Sequence, residues 1–360
     1  MLRAGLIGFP NAGKTTLFQL LTSARDAARP QGKADANVGI ARVPDARLDK
    51  FAAMFTPKKT TPAVVEFADM AAGARTGTAG LVDVVAYRTA NALLHVVRAF
   101  RDPSVPHAKE TIDPLRDARQ MEEELVLADL GIAEKRLERL EKDLKKSASP
   151  ELKKEQETLV RCRAALEEGR SLRTLGLTGD EAKRLSGFQF LSGKPLLIVL
   201  NLDEADVPQA DGAVARYGLT DFLGHTGAAA VPVCARIELE IAQLEAADAA
   251  AFMADLGLTS SGLDRVIRAA YDLLGYLSFF TVGEDECRAW SIPRQTPAVE
   301  AAGEIHSDIA RGFIRAEVVA GERLLARGSF AACREHAELR LEGKEYLVQD
   351  GDVINFRHAT

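Results

Sequence analysis

The sequence predicts an α/β protein with a mostly parallel sheet, an inserted antiparallel helical hairpin and a small C-terminal domain of the β-grasp type. Three observations support this fold class. A glycine-rich loop separates an apolar strand from a helix near the start, residues 115–189 carry a helical heptad pattern, and short alternating apolar runs begin at residue 279. We therefore expect a first domain from residues 1–114 and 190–278, an inserted coiled-coil domain from 115–189, and a last domain from 279–360.

The composition excludes several classes of protein. The chain has 360 residues, of which 47% are hydrophobic and 27% charged, and its net charge of −6 argues against a generally basic DNA-binding or RNA-binding protein. No run approaches the roughly 18 apolar residues that span a bilayer, and the N-terminus does not resemble a signal peptide. We expect a cytoplasmic protein with no membrane and no DNA partner. The four cysteines form no C-x-x-C pair, so neither a disulfide framework nor a zinc site is indicated.

The strongest motif runs from Gly8 to Thr16 and matches G-x-x-x-x-G-K-[ST], the loop that binds phosphate groups. A chance match in a glycine-rich turn is the alternative, but the flanking strand and helix favour the functional interpretation. Backbone N–H groups in this loop and the positive end of the next helix converge on phosphate. Lys14 adds charge near the β and γ oxygens, and the Thr15 hydroxyl is placed to bind Mg²⁺. The predicted phosphate-binding residues are Asn11, Ala12, Gly13, Lys14, Thr15 and Thr16.

Asp69 is the second predicted metal ligand. It ends an extended segment, Ala63 to Ala68, about fifty residues after the loop, where an Asp holds magnesium through water in related folds. An Asp that opens a turn is the alternative interpretation.

The segments that sense the γ-phosphate in switch-type nucleotide hydrolases are unusual here. The loop from residue 25 to 37 contains no Ser or Thr. After Asp69, Ala72 stands where such proteins have the glycine of D-x-x-G, unless Gly73 replaces it by a shift of one residue. If the position requires a positive φ, alanine costs on the order of 1 kcal/mol.

A third apolar run, Leu93 to Phe100, predicts another central strand, and a loop leads from it to His107. A single histidine in a loop is usually solvated, so the residues alone leave its role open.

From Pro114 to about Leu172 the pattern is helical. Fourteen Lys and Arg residues balance fourteen Asp and Glu residues between Leu115 and Arg173. Leucines at heptad spacing and a break at Ser149 and Pro150 predict an antiparallel hairpin. Its charged faces are either simply solvated or a binding surface.

The base of the nucleotide should lie near two later segments. The apolar run Pro195 to Leu200 ends in Asn201-Leu202-Asp203-Glu204, where guanine-specific proteins have N-K-x-D. Because adenine lacks the N1–H and 2-amino donors of guanine, loss of the motif's aspartate removes the reason to prefer guanine. We predict that Asn201, Leu202, Glu204 and the corner Cys234-Ala235 bind the base.

From Phe279 onward, five short strands and one helix near residues 300–311 suggest the β-grasp domain. The predicted strands are Phe279–Val282, Cys287–Ile292, Ile314–Val319, Glu345–Val348 and Val353–Phe356.

The whole chain resembles the YchF family, the Obg-like ATPases of the P-loop class. The resemblance is carried by the phosphate loop and by Val43–Leu48, His95–Phe100, Asn201–Glu204, Val231–Ala235, Gly262–Ala269, Gly312–Val318 and Gln349–Val353. It implies a P-loop NTPase domain interrupted by a coiled coil and followed by a TGS domain. It also implies ATP binding in preference to GTP, slow hydrolysis to ADP, a Mg²⁺ cofactor, and ribosome association in translation or stress control. By the same resemblance His107 positions water and Asn11 can bind K⁺.

The sequence departs from this family at the switch positions. The switch threonine falls near Lys33, the switch glycine falls on Ala72, and the segment after Asp69 is shorter. We therefore predict a divergent member that binds ATP normally and hydrolyses it poorly. Two alternatives remain open: a non-catalytic, nucleotide-gated adaptor that docks on a ribosome, and a GTP-binding GTPase.

Overall fold

The computed structural model describes residues 3–23, 37–69, 84–107, 109–147 and 149–359. Its described residues fall in two compact units, Met1–Ala41 with Glu66–Ala270, and Arg42–Val65 with Tyr271–Thr360. None of the helices in these ranges combines the length and apolar character needed to cross a lipid bilayer.

The first unit contains a six-stranded sheet with the order β2-β4-β1-β5-β6-β7. Its strands are β1 Arg3–Ile7, β2 Asn37–Arg42, β4 Val64–Asp69, β5 Ala92–Arg98, β6 Leu196–Asn201 and β7 Ala229–Val233. The pairs β1–β4, β1–β5, β5–β6 and β6–β7 are parallel. The mostly parallel sheet predicted from the apolar runs is confirmed.

The burial of the central strands explains why their sequences are continuous apolar runs. Every residue of β5 and β6 is buried, as expected for strands of a parallel sheet that is covered on both faces. The helices of this unit outside the hairpin are α1 Lys14–Ser23, α5 Gly179–Leu185, α6 Ala213–Arg216, α7 Thr220–Thr226, α8 Ala235–Gln243, α9 Ala246–Asp255 and α10 Gly262–Leu273. Leu244 and Glu245 separate α8 from α9.

The predicted hairpin is present as α3 Pro114–Lys146 and α4 Pro150–Glu167. The Asp113 carboxylate accepts a hydrogen bond from the Arg116 N–H and caps α3, while Pro114 occupies the first turn. The heptad leucines form the seam between the two helices, and Leu140 and Leu159 have no exposed surface. The opposite faces of the two helices are charged, so the apolar seam is the part of the hairpin that holds the arm together.

The second unit contains a six-stranded sheet with the order β11-β10-β12-β8-β9-β3. Its strands are β3 Lys59–Thr61, β8 Tyr276–Thr281, β9 Glu286–Pro293, β10 Phe313–Ala320, β11 Arg340–Glu342 and β12 Asp352–His358, and its helices are α2 Ala46–Phe55, α11 Ala298–Ile305, α12 Ser307–Arg311, α13 Gly321–Arg327 and α14 Phe330–Glu335. The mixed β-grasp-like architecture follows the prediction.

Three details of this unit differ from the sequence-based expectation. The one helix expected near residues 300–311 is two helices, α11 and α12, separated at His306. Residues 345–348 are not a strand, since Leu347 makes only an isolated bridge to Pro297, and β11 takes the edge position instead. The third difference is β3, a segment from early in the chain that pairs in parallel with β9. A three-residue polar strand carries no periodicity, so its pairing could not be read from the sequence.

Candidate functional site: the phosphate loop and its cavity

The backbone of the phosphate loop explains its two flanking glycines. Gly8 and Gly13 have φ angles of 156° and 94°. A Cβ atom at Gly8 would lie 2.5 Å from the Val96 carbonyl oxygen, and one at Gly13 would lie 2.5 Å from Asn201 Nδ2. Both positions therefore require glycine for conformation and for space.

Lys14 begins α1, and its ammonium group lies against the loop. Lys14 Nζ donates a hydrogen bond of 2.8 Å to the Phe9 carbonyl oxygen. Burial lowers the pKa of Lys14, and the charge of Asp69 acts in the opposite direction. A partly buried ammonium attracts phosphate strongly, because little water screens it.

The two predicted metal ligands lie side by side. Asp69 ends β4 with 1% exposure, and its Oδ2 accepts a hydrogen bond of 3.3 Å from the Thr15 hydroxyl. Mg²⁺ prefers oxygen ligands and typically takes one or two from the protein, with phosphate and water completing its shell. The hydroxyl and carboxylate beside the loop fit this requirement.

A cavity of about 470 Å³ opens above the loop, a volume suited to a small organic ligand. It brings together most of the residues predicted to bind nucleotide: Asn11, Gly13, Lys14, Thr15, Thr16, Asn201, Leu202, Glu204, Cys234 and Ala235. Ala12 does not line it and is 3% exposed. The cavity also has lining residues that sequence reasoning missed: Phe100, Arg101, Asp102, Val105, Asp203, Arg236 and Leu239.

Asn201 connects the two halves of the cavity. Its Nδ2 donates to the Ala12 carbonyl oxygen and its Oδ1 accepts from the Ala235 N–H, both at 3.1 Å. The side chain is 4% exposed, so water does not compete for these bonds. The amide thus fixes the distance between the phosphate loop and the corner at the start of α8.

The carboxylates after Asn201 are already engaged with the protein. Asp203 accepts hydrogen bonds from the backbone N–H groups of Arg101 at 3.0 Å and Ala205 at 3.4 Å. Glu204 pairs with Arg236, with 2.5 Å between Oε1 and Nε. Neither carboxylate presents two unoccupied oxygens to the cavity.

Comparisons with known proteins identify the family. Residues 276–359 match the family YchF-GTPase_C, described as a protein of unknown function, and residues 3–133 match the 50S ribosome-binding GTPase family. The chain is 42% identical to a Bacillus subtilis protein named ribosome-binding ATPase YchF, over 99% of both chains.

The chain belongs to the YchF family. A second YchF relative, from Haemophilus influenzae, is 38% identical over 99% of this chain and 98% of its own. The structure of the Schizosaccharomyces pombe YchF GTPase superposes with a TM-score of 0.87 at 27% identity, covering 99% of this chain and 97% of that one. The resemblance inferred from the motifs is confirmed.

In this YchF chain, Arg98 holds the segment from Phe100 to Val105, which forms the wall of the cavity that was not predicted from the sequence. The guanidinium is 3% exposed and donates to the carbonyl oxygens of Phe100, Asp102 and Val105 at 3.2, 3.5 and 2.8 Å. It also lies 4.4 Å from the centroid of the Phe100 ring. A buried arginine at the end of a central strand was the available signal, because such a charge must be met by nearby acceptors.

His107 lies behind the phosphate loop and does not line the cavity above it. Its Nδ1 accepts from the Lys109 N–H at 3.1 Å, and Nε2 lies 3.2 Å from Asp117 Oδ2, so the neutral tautomer with Nε2–H satisfies both contacts. The side chain is 8% exposed. Asn11 links the two loops, because its Nδ2 donates to the Pro106 carbonyl oxygen at 3.0 Å.

The departures at Lys33, at Ala72 and in the shorter segment after Asp69 lie outside the described residues, as does the alternative glycine, Gly73. They stay predictions from the sequence.

Proposed function

We propose that this protein is a ribosome-binding, ATP-binding switch protein of the cytoplasm that slowly hydrolyses ATP to ADP and phosphate and acts in translation or stress regulation. The names of its bacterial relatives support ATP and the ribosome as partners. The observation that carries the proposal is the cavity in which Asn201 ties the phosphate loop to the Cys234-Ala235 corner.

The residues around the cavity have distinct proposed roles. The backbone N–H groups of Asn11 to Thr16 and the Lys14 ammonium hold the phosphates. Thr15 and Asp69 hold Mg²⁺, which when bound offsets the negative charge of the β and γ oxygens. A K⁺ ion at Asn11 is included through the family resemblance alone. Leu202, Cys234 and Ala235 contact the base, and Phe100 and Leu239 add apolar surface.

Selection of adenine over guanine follows from the engaged carboxylates. Guanine offers the N1–H and 2-amino donors, which require a carboxylate with both oxygens accessible. Asp203 is engaged by backbone N–H groups and Glu204 by Arg236, so guanine donors would have to compete with these partners for the carboxylate oxygens. An unpaired buried donor costs about 1–3 kcal/mol, which is enough to favour ATP by roughly tenfold or more.

Slow hydrolysis is proposed for two reasons. Lys33 and Ala72 replace residues that sense the γ-phosphate in the family, and the His107 imidazole is held by Asp117 outside the cavity. To position water, His107 has to leave Asp117 and turn toward the phosphates.

The test combines nucleotide titration with hydrolysis. We expect calorimetry to show ATP bound more tightly than GTP, and Lys14→Ala to lose both ATP binding and phosphate release. Lys58→Ala is the matched control, since this side chain is 81% exposed and pairs with an exposed Asp285. Tight GTP binding with no ATP binding would overturn the choice of base, and binding of neither nucleotide would overturn the proposal.

The His107–Asp117 contact also favours a second candidate, a non-catalytic adaptor gated by nucleotide. Single-turnover phosphate release separates the two functions. Release that disappears in Lys14→Ala supports the enzyme, whereas ATP binding with no release in the unmodified protein supports the adaptor.

A further inference from the structure

The charge of the hairpin is unevenly distributed along its length. We define the arm tip as residues 142–154, of which the structure describes all but residue 148. The arm tip contains five lysines and two carboxylates, whereas the remainder of residues 115–173 contains nine basic and twelve acidic residues. Residues 115–173 are neutral as a whole, yet the hairpin ends in a positive tip, on a protein whose net charge is −6.

The five lysines of the arm tip are available to a partner. They are exposed on both helices: Lys142, Lys145, Lys146, Lys153 and Lys154. Lys154 lies 3.8 Å from Glu151, and the other four form no ion pair within the described part of the hairpin.

Helix stability explains only part of this arrangement. Lysines at the C-terminal end of α3 interact favourably with the negative end of the helix dipole. Lys153 and Lys154, however, are the fourth and fifth residues of α4, beyond the first turn in which the helix dipole acts, so the dipole does not account for them. Their position suggests selection for an external partner.

The arm presents these charges on a rigid support. Arg136 and Glu155 form a two-point ion pair across the helices, with N–O distances of 2.7 and 2.9 Å. Leu137, Leu140 and Leu159 fill the seam beside it. The 33 residues of α3 extend over about 50 Å at 1.5 Å per residue, so the tip can reach into a concave surface.

We propose that the arm tip is a docking surface for the phosphate backbone of ribosomal RNA. The inference deepens the proposed ribosome binding and rests on it. RNA is the favoured partner because it offers closely spaced phosphates to a compact group of lysines, and each contact that displaces a counterion adds affinity. The arm tip has no exposed large apolar side chain in its described residues, which favours a charged partner over a hydrophobic one.

The experiment measures binding of the full-length protein to purified bacterial ribosomal subunits at several salt concentrations. The test variant is K145Q/K146Q/K153Q. The control variant, K135Q/R139Q/K183Q, removes the same charge from exposed positions of the same inserted segment outside the tip. Melting temperature and ATP affinity are recorded for both variants, since none of these residues touches the cavity.

We expect the tip variant to bind subunits about tenfold or more weakly, with the slope of log K against log salt reduced by about 2. The control variant should stay within about twofold of the unmodified protein, and protein-free ribosomal RNA should compete with the subunits. Equal loss in both variants, or no loss in either, would overturn the arm tip as the docking surface. Loss of binding without competition by RNA would overturn RNA as the partner. Failure of the unmodified protein to bind subunits would instead overturn the ribosome-binding part of the proposed function.

Discussion

Asn201 offers a direct test of how the cavity is held together. In Asn201→Ala the Ala12 carbonyl oxygen and the Ala235 N–H each lose a 3.1 Å hydrogen bond at a site that is 4% exposed. Each buried group left without a partner costs about 1–3 kcal/mol, so we expect the free energy of unfolding of the first unit to fall by about 2–6 kcal/mol. Because the same amide fixes the phosphate loop relative to the base corner, ATP affinity should fall about tenfold or more.

Urea unfolding followed by circular dichroism and calorimetric ATP titration measure the two effects. Asn201→Asp keeps an acceptor for the Ala235 N–H but faces the Ala12 carbonyl oxygen with a carboxylate, so it should also weaken ATP binding. Asn91→Ala is the control, because Asn91 is exposed and accepts a single bond from the Arg3 N–H. If Asn201→Ala unfolds at the same urea concentration as the Asn91 variant and binds ATP within about twofold of the unmodified protein, the bridging role is wrong.

The remaining predictions concern base choice, water positioning and pH. Arg236→Ala should leave Glu204 without its ion pair and improve GTP affinity relative to ATP affinity. The expected change is about two- to fivefold, which is the range for an exposed ion pair. An unchanged ratio of the two affinities in parallel titrations would contradict this prediction. His107→Gln should lower single-turnover phosphate release about tenfold or more at unchanged ATP affinity, and an unchanged rate would remove His107 from the mechanism. Because burial lowers the pKa of Lys14, its ammonium loses its proton below the ordinary lysine value of 10.5, so ATP affinity should fall as pH rises toward that value. Lys14→Arg stays protonated and should show a flatter pH profile; the same profile in both proteins would contradict the assignment.

The part of the site that could be predicted from the sequence is the part that depends on the spacing of nearby residues. The phosphate loop requires consecutive residues between a strand and a helix, so Gly8, Gly13 and Lys14 can be recognised without a structure. The sequence analysis missed four residues that line the cavity from the loop after β5: Phe100, Arg101, Asp102 and Val105. In a parallel sheet this loop lies beside the loop after β1 when β1 and β5 are neighbouring strands. No single segment of the sequence specifies that strand order, so these residues could not be placed in the site from local spacing alone.

The sequence also could not predict that β3, from early in the chain, joins the sheet of the second unit, because this pairing too depends on contacts between distant segments. β3 pairs with β9 across more than two hundred residues, and Arg47 pairs with Asp350 at 2.7 Å within the same unit. Contacts this distant in sequence leave no periodicity in either partner.

The sequence by itself determined the fold class, the hairpin, the phosphate loop and the family, because each depends on local spacing and periodicity. Only the tertiary structure decided which side chains each functional residue engages. It showed that Asn201 bonds the loop to the base corner, that Arg236 pairs with Glu204, and that Asp117 holds His107 behind the loop. The physical reason is that hydrogen bonds and ion pairs act over a few ångströms in space, between groups whose separation along the chain carries no information about that distance.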